Sequence, residues 1–170
     1  MKAVEIKQGA IAMTVNSKPT YLVFGDFYTF LATGEDTNGK YSLTEMVMQP
    51  QSTTPAHIHD RFEEAHYILE GEVEYQLDDK TIVATPGTFV QFPIGQAHGF
   101  KNVTSQPAKV LAFLTPPGGE QFFAEFGQKV NLPMSEEEKQ KLLVPPTPAD
   151  FEKFVELAVT KYRVQLAPQL

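Results

Sequence analysis

Two stretches of the sequence decide the fold: PAHIHDRFEEAHYILEGE at residues 55–72 and GTFVQFPIGQAHGFKN at residues 87–102. Together they contain all four histidines of the chain. Alternate side chains of a β-strand share a face, so His57 and His59 would point the same way with Cα atoms roughly 6.5–7 Å apart. Two imidazoles at that spacing can bind one metal ion, so the first stretch predicts a metal-binding strand.

A carboxylate and a third imidazole complete the predicted site. The short polar segment after the histidine pair could reset the register so that Glu64 faces the same interior, with Glu63 as the alternative. In the second stretch, Pro93 and Gly95 indicate a tight turn that starts a strand carrying His98. Three neutral imidazoles and one carboxylate suit iron(II), manganese, cobalt, nickel or zinc, and suit magnesium or calcium poorly. We therefore predict one divalent transition metal ion, with the ligands His57, His59, Glu64 and His98.

Both stretches resemble the two motifs of the cupin family. The family pattern is a histidine pair, a glutamate and a glycine, followed by glycine, proline, glycine, histidine and asparagine. The residues that match it are His57, His59, Glu64, Gly71, Gly87, Pro93, Gly95, His98 and Asn102. The resemblance implies an all-β fold, a small antiparallel β-barrel of the jelly-roll type with one metal ion at its centre.

The rest of the chain agrees with such a fold. Its 170 residues are 42% hydrophobic and include thirteen phenylalanines, enough for one substantial core. Short apolar runs separated by Gly, Pro and Asp turns are typical of a β-sandwich or barrel, and the apolar period becomes helical after Gly118-Gly119. We divide the chain into a cupin β-barrel with the metal site at residues 1–116 and a C-terminal helical extension at 117–170. The extension would pack on the barrel or on a partner subunit.

Three segments of this extension predict α-helices. Glu120–Val130 places its apolar residues at helical spacing. Ser135, followed three residues later by Glu138, indicates a capping box at the start of a second helix. Thr147-Pro148 indicates the start of the last helix, with proline at its tolerated first position.

Charge and cysteine content argue against several classes of protein. The net charge is −7 and no cluster of Lys and Arg is visible, so binding to nucleic acid is not expected. The absence of cysteine excludes disulfides and thiolate ligands. The N-terminal residues show no signal-peptide pattern, and we see no membrane-spanning run. We expect a cytoplasmic protein that binds neither nucleic acid nor membranes.

A finer resemblance, to single-domain cupins related to quercetin 2,3-dioxygenase, covers nearly the whole chain. It rests on residues 34–45, 64–72 and 117–123. It implies a metal-dependent dioxygenase whose partners are dioxygen and an aromatic small molecule, a flavonol or a similar enol. The flavonol would bind through its 3-hydroxyl group at the metal, and Glu64 would take the hydroxyl proton as general base. The resemblance implies that the electron-rich ring then reacts with dioxygen, as in that family, where the heterocycle opens, carbon monoxide leaves and a depside forms.

Two other functions stay open at this stage. The same ligands would serve a zinc-dependent cyclase or isomerase of an aromatic polyketide-like substrate that consumes no oxygen. A non-catalytic cupin that only binds a small molecule is the third possibility. Because related barrels pair through edge strands and terminal segments, a homodimer is the working hypothesis.

Position 66 is where the chain departs from this resemblance. Relatives usually carry an aromatic residue such as Phe there, whereas this chain has His66. In a regular strand His66 shares the inward face with Glu64. It is then either a hydrogen-bonding or substrate-facing residue near the metal, or an ordinary buried histidine. Candidates for the apolar lining of the site are Met46, Met48, Phe92, Phe100 and Phe113.

Overall fold

A computed structural model describes residues 4–7, 10–12 and 18–167 of the chain. The described residues form fourteen strands and three helices. In chain order these elements are β1 (Val4–Lys7), β2 (Ala10–Ala12), β3 (Thr20–Val23), β4 (Asp26–Ala32), β5 (Ser42–Met48), β6 (Thr53–Ile58), β7 (Glu63–Glu70), β8 (Val73–Leu77), β9 (Lys80–Ala84), β10 (Phe89–Phe92), β11 (His98–Asn102), β12 (Ala108–Thr115), α1 (Gly119–Phe126), β13 (Gln128–Val130), α2 (Glu136–Leu142), α3 (Pro148–Thr160) and β14 (Gln165–Leu166).

Two antiparallel sheets make up the body of the protein. The seven-stranded sheet has the order β10-β7-β12-β5-β4-β3-β13, and the five-stranded sheet has the order β14-β6-β11-β8-β9. Strands that are distant in sequence are neighbours in both sheets, as in a jelly roll. The predicted jelly-roll fold with C-terminal helices is confirmed. Among the described strands, however, pairing gives a sandwich of two sheets and not one closed barrel.

The core lies between the two sheets and follows from the period-2 pattern of the strands. Along β5, buried residues alternate with half-buried ones, so that Met46 and Met48 face the interior. Ile68 on β7 is fully buried beside them, and the opposite sheet contributes Tyr75 and Phe100 to the same cluster. Each such side chain stabilises the fold by about 1.5–3 kcal/mol through burial.

Two motif residues have a purely structural explanation. Gly71 has a φ of 78°, and a Cβ atom there would lie 2.8 Å from the Cα atom of Ala108, so only glycine is accommodated. The side-chain amide of Asn102, on β11, donates to the carbonyl oxygens of Met48, Gln49 and Gln106 at 2.8–3.2 Å. Asn102 therefore fixes the loops at one end of the sandwich.

The C-terminal helices contact the strands through aromatic rings. Phe123 of α1 stacks on Tyr28 with ring centroids 4.0 Å apart, and Phe154 of α3 lies 5.0 Å from Phe24. The predicted capping box of Ser135 and Glu138 is confirmed, and Thr147 caps α3 in the same way.

One helix of this region is shorter than predicted, and the predicted domain boundary is not tested. The helix predicted over Glu120–Val130 ends at Phe126, because Gln128–Val130 instead forms the edge strand β13, which pairs with β3. The division of the chain at residues 116 and 117 stays a prediction, and residues 1–3, 8–9, 13–17 and 168–170 lie outside the described residues. Within the described ranges, no helix has the length and apolar character needed to cross a membrane.

Candidate metal centre

The four residues predicted as metal ligands come from three strands and one loop. His57 lies near the end of β6, and its register partner on β11 is His98. His59 follows one residue after the end of β6, and Glu64 lies on β7 in the other sheet. The group therefore spans the space between the two sheets, with three members on the five-stranded side and one on the seven-stranded side.

The potential ligand atoms of this group all lie within 4.8 Å of one another. The Nε2 atom of His59 is 3.0 Å from the Nε2 atom of His57 and 3.0 Å from Oε2 of Glu64. The distance from His98 Nε2 to the same oxygen is 3.3 Å. Atoms that ligate one ion at about 2.1 Å are roughly 3.0–3.4 Å apart for bond angles between 90° and 109°. The group could hold a single metal ion.

Backbone hydrogen bonds aim two of the imidazoles at the centre of the group. The Nδ1 atom of His57 lies 2.9 Å from the carbonyl oxygen of Pro55, and that of His98 lies 3.1 Å from the carbonyl oxygen of Gln96. A carbonyl oxygen can only accept, so each Nδ1 donates and each Nε2 atom faces the centre of the group. Ligating histidines in proteins are held in this way.

Burial sets the charge of the group. It lowers the pKa of His57 from 6.5 to about 3, with repulsion from the imidazoles of His98 and His59 as further causes. His57 is therefore neutral at pH 7. Burial alone would raise the pKa of Glu64, but hydrogen bonds to the three neighbouring imidazoles hold it well below 4.5. The carboxylate is ionised and His57 is neutral, so the centre offers a negative charge and the unprotonated nitrogen of His57.

The choice between the two adjacent glutamates is resolved by the direction of their side chains. Glu64 is 9% exposed and faces the imidazoles. Glu63 is half-buried, and its closest polar contact is Nε2 of Gln91 on the neighbouring strand at 3.4 Å. The structure thus brings Glu64 together with the three histidines and leaves Glu63 outside the group.

Aromatic rings pack around the four side chains. Phe92 stacks on His98 with ring centroids 4.2 Å apart and an interplanar angle of 11°. Phe62 covers His59 at the same centroid distance. The inward placement of Met46, Met48, Phe92 and Phe100 agrees with their predicted role as lining. Phe113 was predicted wrongly, because it lies on the outer side of β12 and stacks on Tyr41.

His66 and Tyr75 extend the polar group on the side away from the histidine pair. His66 is 1% exposed, with Nε2 2.8 Å from Oε1 of Glu64 and Nδ1 2.9 Å from the hydroxyl of Tyr75. Tyr75 was not anticipated from the sequence. The alternation Val73, Tyr75, Leu77 along β8 could have indicated that its side chain points inward.

The C-terminal strand β14 was also not anticipated. It pairs with β6, and its register places Leu166 opposite His57. The side chain of Arg163 forms an ion pair with Asp60 in the loop that carries His59. The end of the chain therefore supports the strand and loop that position two of the candidate ligands.

Comparisons with known proteins agree with the fold. Residues 44–114 match the sequence model of the cupin domain. The polyketide synthase CurC of Streptomyces cyaneus is 32% identical over 94 residues, which cover 54% of this chain and 60% of that protein. The quercetin 2,3-dioxygenase of Bacillus subtilis is 26% identical over 125 residues, 72% of this chain and 37% of that protein. The chain thus spans less than two thirds of the length of these two relatives.

A solved structure extends the comparison beyond the matched domain. The polyketide cyclase RemF of Streptomyces resistomycificus superposes with a TM-score of 0.56 at 22% identity, covering 79% of this chain and 93% of that one. At this identity the likeness concerns the fold alone. The match over residues 44–114 identifies a cupin domain in this chain, and the sheet topology of the described residues agrees with the cupin fold.

Proposed function

We propose that this protein is a metal-dependent dioxygenase that opens a flavonol or a similar enol-containing aromatic substrate. The observation that carries the proposal is the convergence of three imidazoles and one ionised carboxylate on a single buried point between the sheets. His57, His59, Glu64 and His98 would hold one divalent ion of iron, manganese, nickel, cobalt or zinc.

Glu64 is the residue we assign to catalysis. Its low pKa keeps it ionised at neutral pH, so it is in the form that can accept a proton. Oε2 faces the imidazoles and would also face an enol bound among them, whereas Oε1 is occupied by His66. The proton of the substrate hydroxyl would pass to Oε2 as the enolate forms. A bound metal ion would supply Lewis-acid stabilisation of the enolate oxygen.

The surrounding rings support an aromatic substrate. Phe92 lies flat against the imidazole of His98, and Phe62 is tilted over that of His59. The group of candidate ligands is therefore bordered by apolar faces. Such walls would exclude water from the reacting centre and stack against a flat ring. The similarity to quercetin 2,3-dioxygenase, which extends over 72% of this chain, supports the same substrate class.

The test is a measurement of metal content followed by oxygen uptake. Protein purified without added metal is analysed by mass spectrometry for first-row ions and then mixed with quercetin at an oxygen electrode. Oxygen uptake with release of carbon monoxide supports the proposal. A metal-loaded protein that binds quercetin tightly and consumes no oxygen would refute it and favour the non-catalytic binder.

A second candidate function is a cyclase or isomerase of an aromatic polyketide-like substrate. The observation that favours it is the 32% identity to the polyketide synthase CurC, which is higher than the identity to the dioxygenase but covers less of this chain. The same four side chains would serve, with zinc as the ion. Formation of a cyclised product under an oxygen-free atmosphere would support this function and exclude the dioxygenase.

We also propose that the protein is a homodimer. Phe89 on β10 and Tyr67 on β7 lie opposite each other in the register, and they are 61% and 42% exposed. A row of exposed aromatic side chains at a sheet edge is a surface that a second copy would bury. We expect Phe89→Ser to convert the dimer to a monomer in light scattering, and a monomeric unmodified protein would refute the dimer. The cytoplasmic location stays a prediction.

A further inference from the structure

His66 uses both ring nitrogens inside the core. Its Nε2 atom contacts Oε1 of Glu64 on the same strand, and its Nδ1 atom contacts the hydroxyl of Tyr75 on the opposite sheet, at 2.8 and 2.9 Å. Tyr75 is 0% exposed and His66 is 1% exposed. Buried ring nitrogens need hydrogen-bond partners, and the two partners of His66 connect the opposite sheet to a candidate ligand.

Aromatic edges and strand pairing hold this line in place. The rings of Phe92 and Phe100 lie nearly perpendicular to the imidazole of His66, at centroid distances of 5.3 and 5.0 Å. The backbone of His66 is paired on both sides, with Val90 on β10 and Ala112 on β12. The imidazole therefore has little freedom to rotate away from Glu64.

The donor and the acceptor can be assigned in these two hydrogen bonds. Glu64 is ionised and can only accept, so the proton of His66 sits on Nε2. The hydroxyl of Tyr75 pairs with the other ring nitrogen, Nδ1, and can donate its proton to it. Burial and the negative charge of Glu64 raise the pKa of Tyr75, so its hydroxyl keeps its proton.

We infer that His66 and Tyr75 form a brace that holds Glu64 by Oε1 and leaves Oε2 as the one carboxylate oxygen facing the imidazoles. This inference rests on the proposed function, because it assigns His66 and Tyr75 as positioning residues for the proposed ligand and base. With a metal ion bound, the brace would leave Glu64 one oxygen for the ion. It would also keep the carboxylate in place when Oε2 takes a proton from the substrate.

The first test measures cobalt(II) binding by the full chain. His66→Phe keeps an aromatic ring and removes the donor, so we expect about 10- to 100-fold weaker binding. The freed Oε1 can then also reach the ion, and the higher coordination number weakens the visible absorption of cobalt(II). His66→Gln retains an N–H donor and is expected to restore much of the affinity. Tyr21→Phe is the matched control, because Tyr21 stacks on Phe30 and lies outside the brace.

The second test needs no metal. In metal-free protein, nitrogen–proton correlation spectra of the histidine rings report which nitrogen of His66 carries the proton. We expect the proton on Nε2, and we expect Tyr75→Phe to shift the Nδ1 signal of His66. A proton on Nδ1 in the unmodified protein would overturn the brace, even if His66→Phe failed to fold.

These outcomes separate the brace from the proposed function. If His66→Phe binds cobalt(II) with unchanged affinity and spectrum while the unmodified protein consumes oxygen with quercetin, the brace is refuted and the dioxygenase stands. If the cobalt(II) results are as expected but no oxygen is consumed, the brace stands and the dioxygenase is refuted. If the unmodified protein binds no metal, the proposed function fails and the ring proton of His66 decides the brace.

Discussion

Replacing Glu64 by glutamine separates metal binding from proton transfer. The amide has the same shape and one carbonyl oxygen, which can take the place of Oε2 only if the NH₂ group faces His66. His66 must then accept at Nε2 and carry its proton on Nδ1. The hydroxyl oxygen of Tyr75, 2.9 Å away, can accept a hydrogen bond from that N–H group. The reversal keeps both contacts of His66, but the hydroxyl hydrogen of Tyr75 then loses Nδ1 as its acceptor, which adds a cost in stability.

The expected effects of this substitution differ in size. Three imidazoles and a carbonyl oxygen remain around the centre, so Glu64→Gln should still bind a transition metal ion, although more weakly. The amide cannot accept the substrate proton, and loss of a general base lowers turnover by about 10²–10⁴-fold. That loss corresponds to about 2.7–5.5 kcal/mol in activation free energy.

Three measurements check these expectations. Metal content and oxygen uptake with quercetin are compared between the unmodified protein and the variant, and nitrogen–proton correlation spectra show whether the proton of His66 moves to Nδ1. Glu63→Gln is the matched control, because the adjacent carboxylate lies outside the group of candidate ligands. Turnover of Glu64→Gln at the unmodified rate, or a loss confined to Glu63→Gln, would refute the assignment of Glu64 as base.

Three further predictions concern single residues. Loss of a residue that only hydrogen-bonds to a metal ligand typically weakens metal binding about 10- to 100-fold, and we expect His57→Ala, which removes a ligand, to weaken it more. Full metal content in that variant would refute the assignment of His57 as a ligand. Burial raises the pKa of Asp26 from 3.8 to about 6. The stability that protonated Asp26 contributes is therefore complete below about pH 3.8 and is lost as the pH rises to about 6. In urea unfolding, we expect the unfolding free energy relative to Asp26→Asn to fall by about 3 kcal/mol between these pH values. Ala167→Pro removes the N–H group that donates to the carbonyl oxygen of Ala56, the residue before His57. We expect metal binding measured by calorimetry to weaken by up to about 10-fold. An unchanged affinity would show that β14 does not support the metal centre.

The sequence predicts which side chains come together at the candidate centre because the relevant rules are local. A histidine pair at spacing two and a turn at Pro93 and Gly95 need only the period of a strand and the chemistry of a turn. In the structure, Gly95 donates its N–H to the carbonyl oxygen of His59, which joins that turn to the loop of the first motif. Here a local pattern and a long-range contact agree.

Contacts between the two sheets are harder to predict from local sequence patterns. Alternation can show that Tyr75 faces inward, but the contact with His66 depends on how β7 and β8, which belong to different sheets, are aligned across the core. Alternation also fails where both faces of a strand are apolar. On β12 the outward Leu111 and Phe113 are as apolar as the inward Val110 and Leu114, so the sequence alone gave no basis for placing Phe113 outside.

The placement of Glu64 connects metal binding to the packing of the two sheets. The three imidazoles belong to the side of the five-stranded sheet, and the carboxylate belongs to β7 of the other sheet. Without a cation, the lone pair of neutral His57 faces another imidazole nitrogen at 3.0 Å. A metal ion would replace this contact with four bonds that join both sheets, and at 100 times its dissociation constant it would stabilise the fold by about 2.7 kcal/mol. Because Tyr75 also lies in the five-stranded sheet, the brace and the metal would connect the same carboxylate to that sheet from two directions, one through each oxygen.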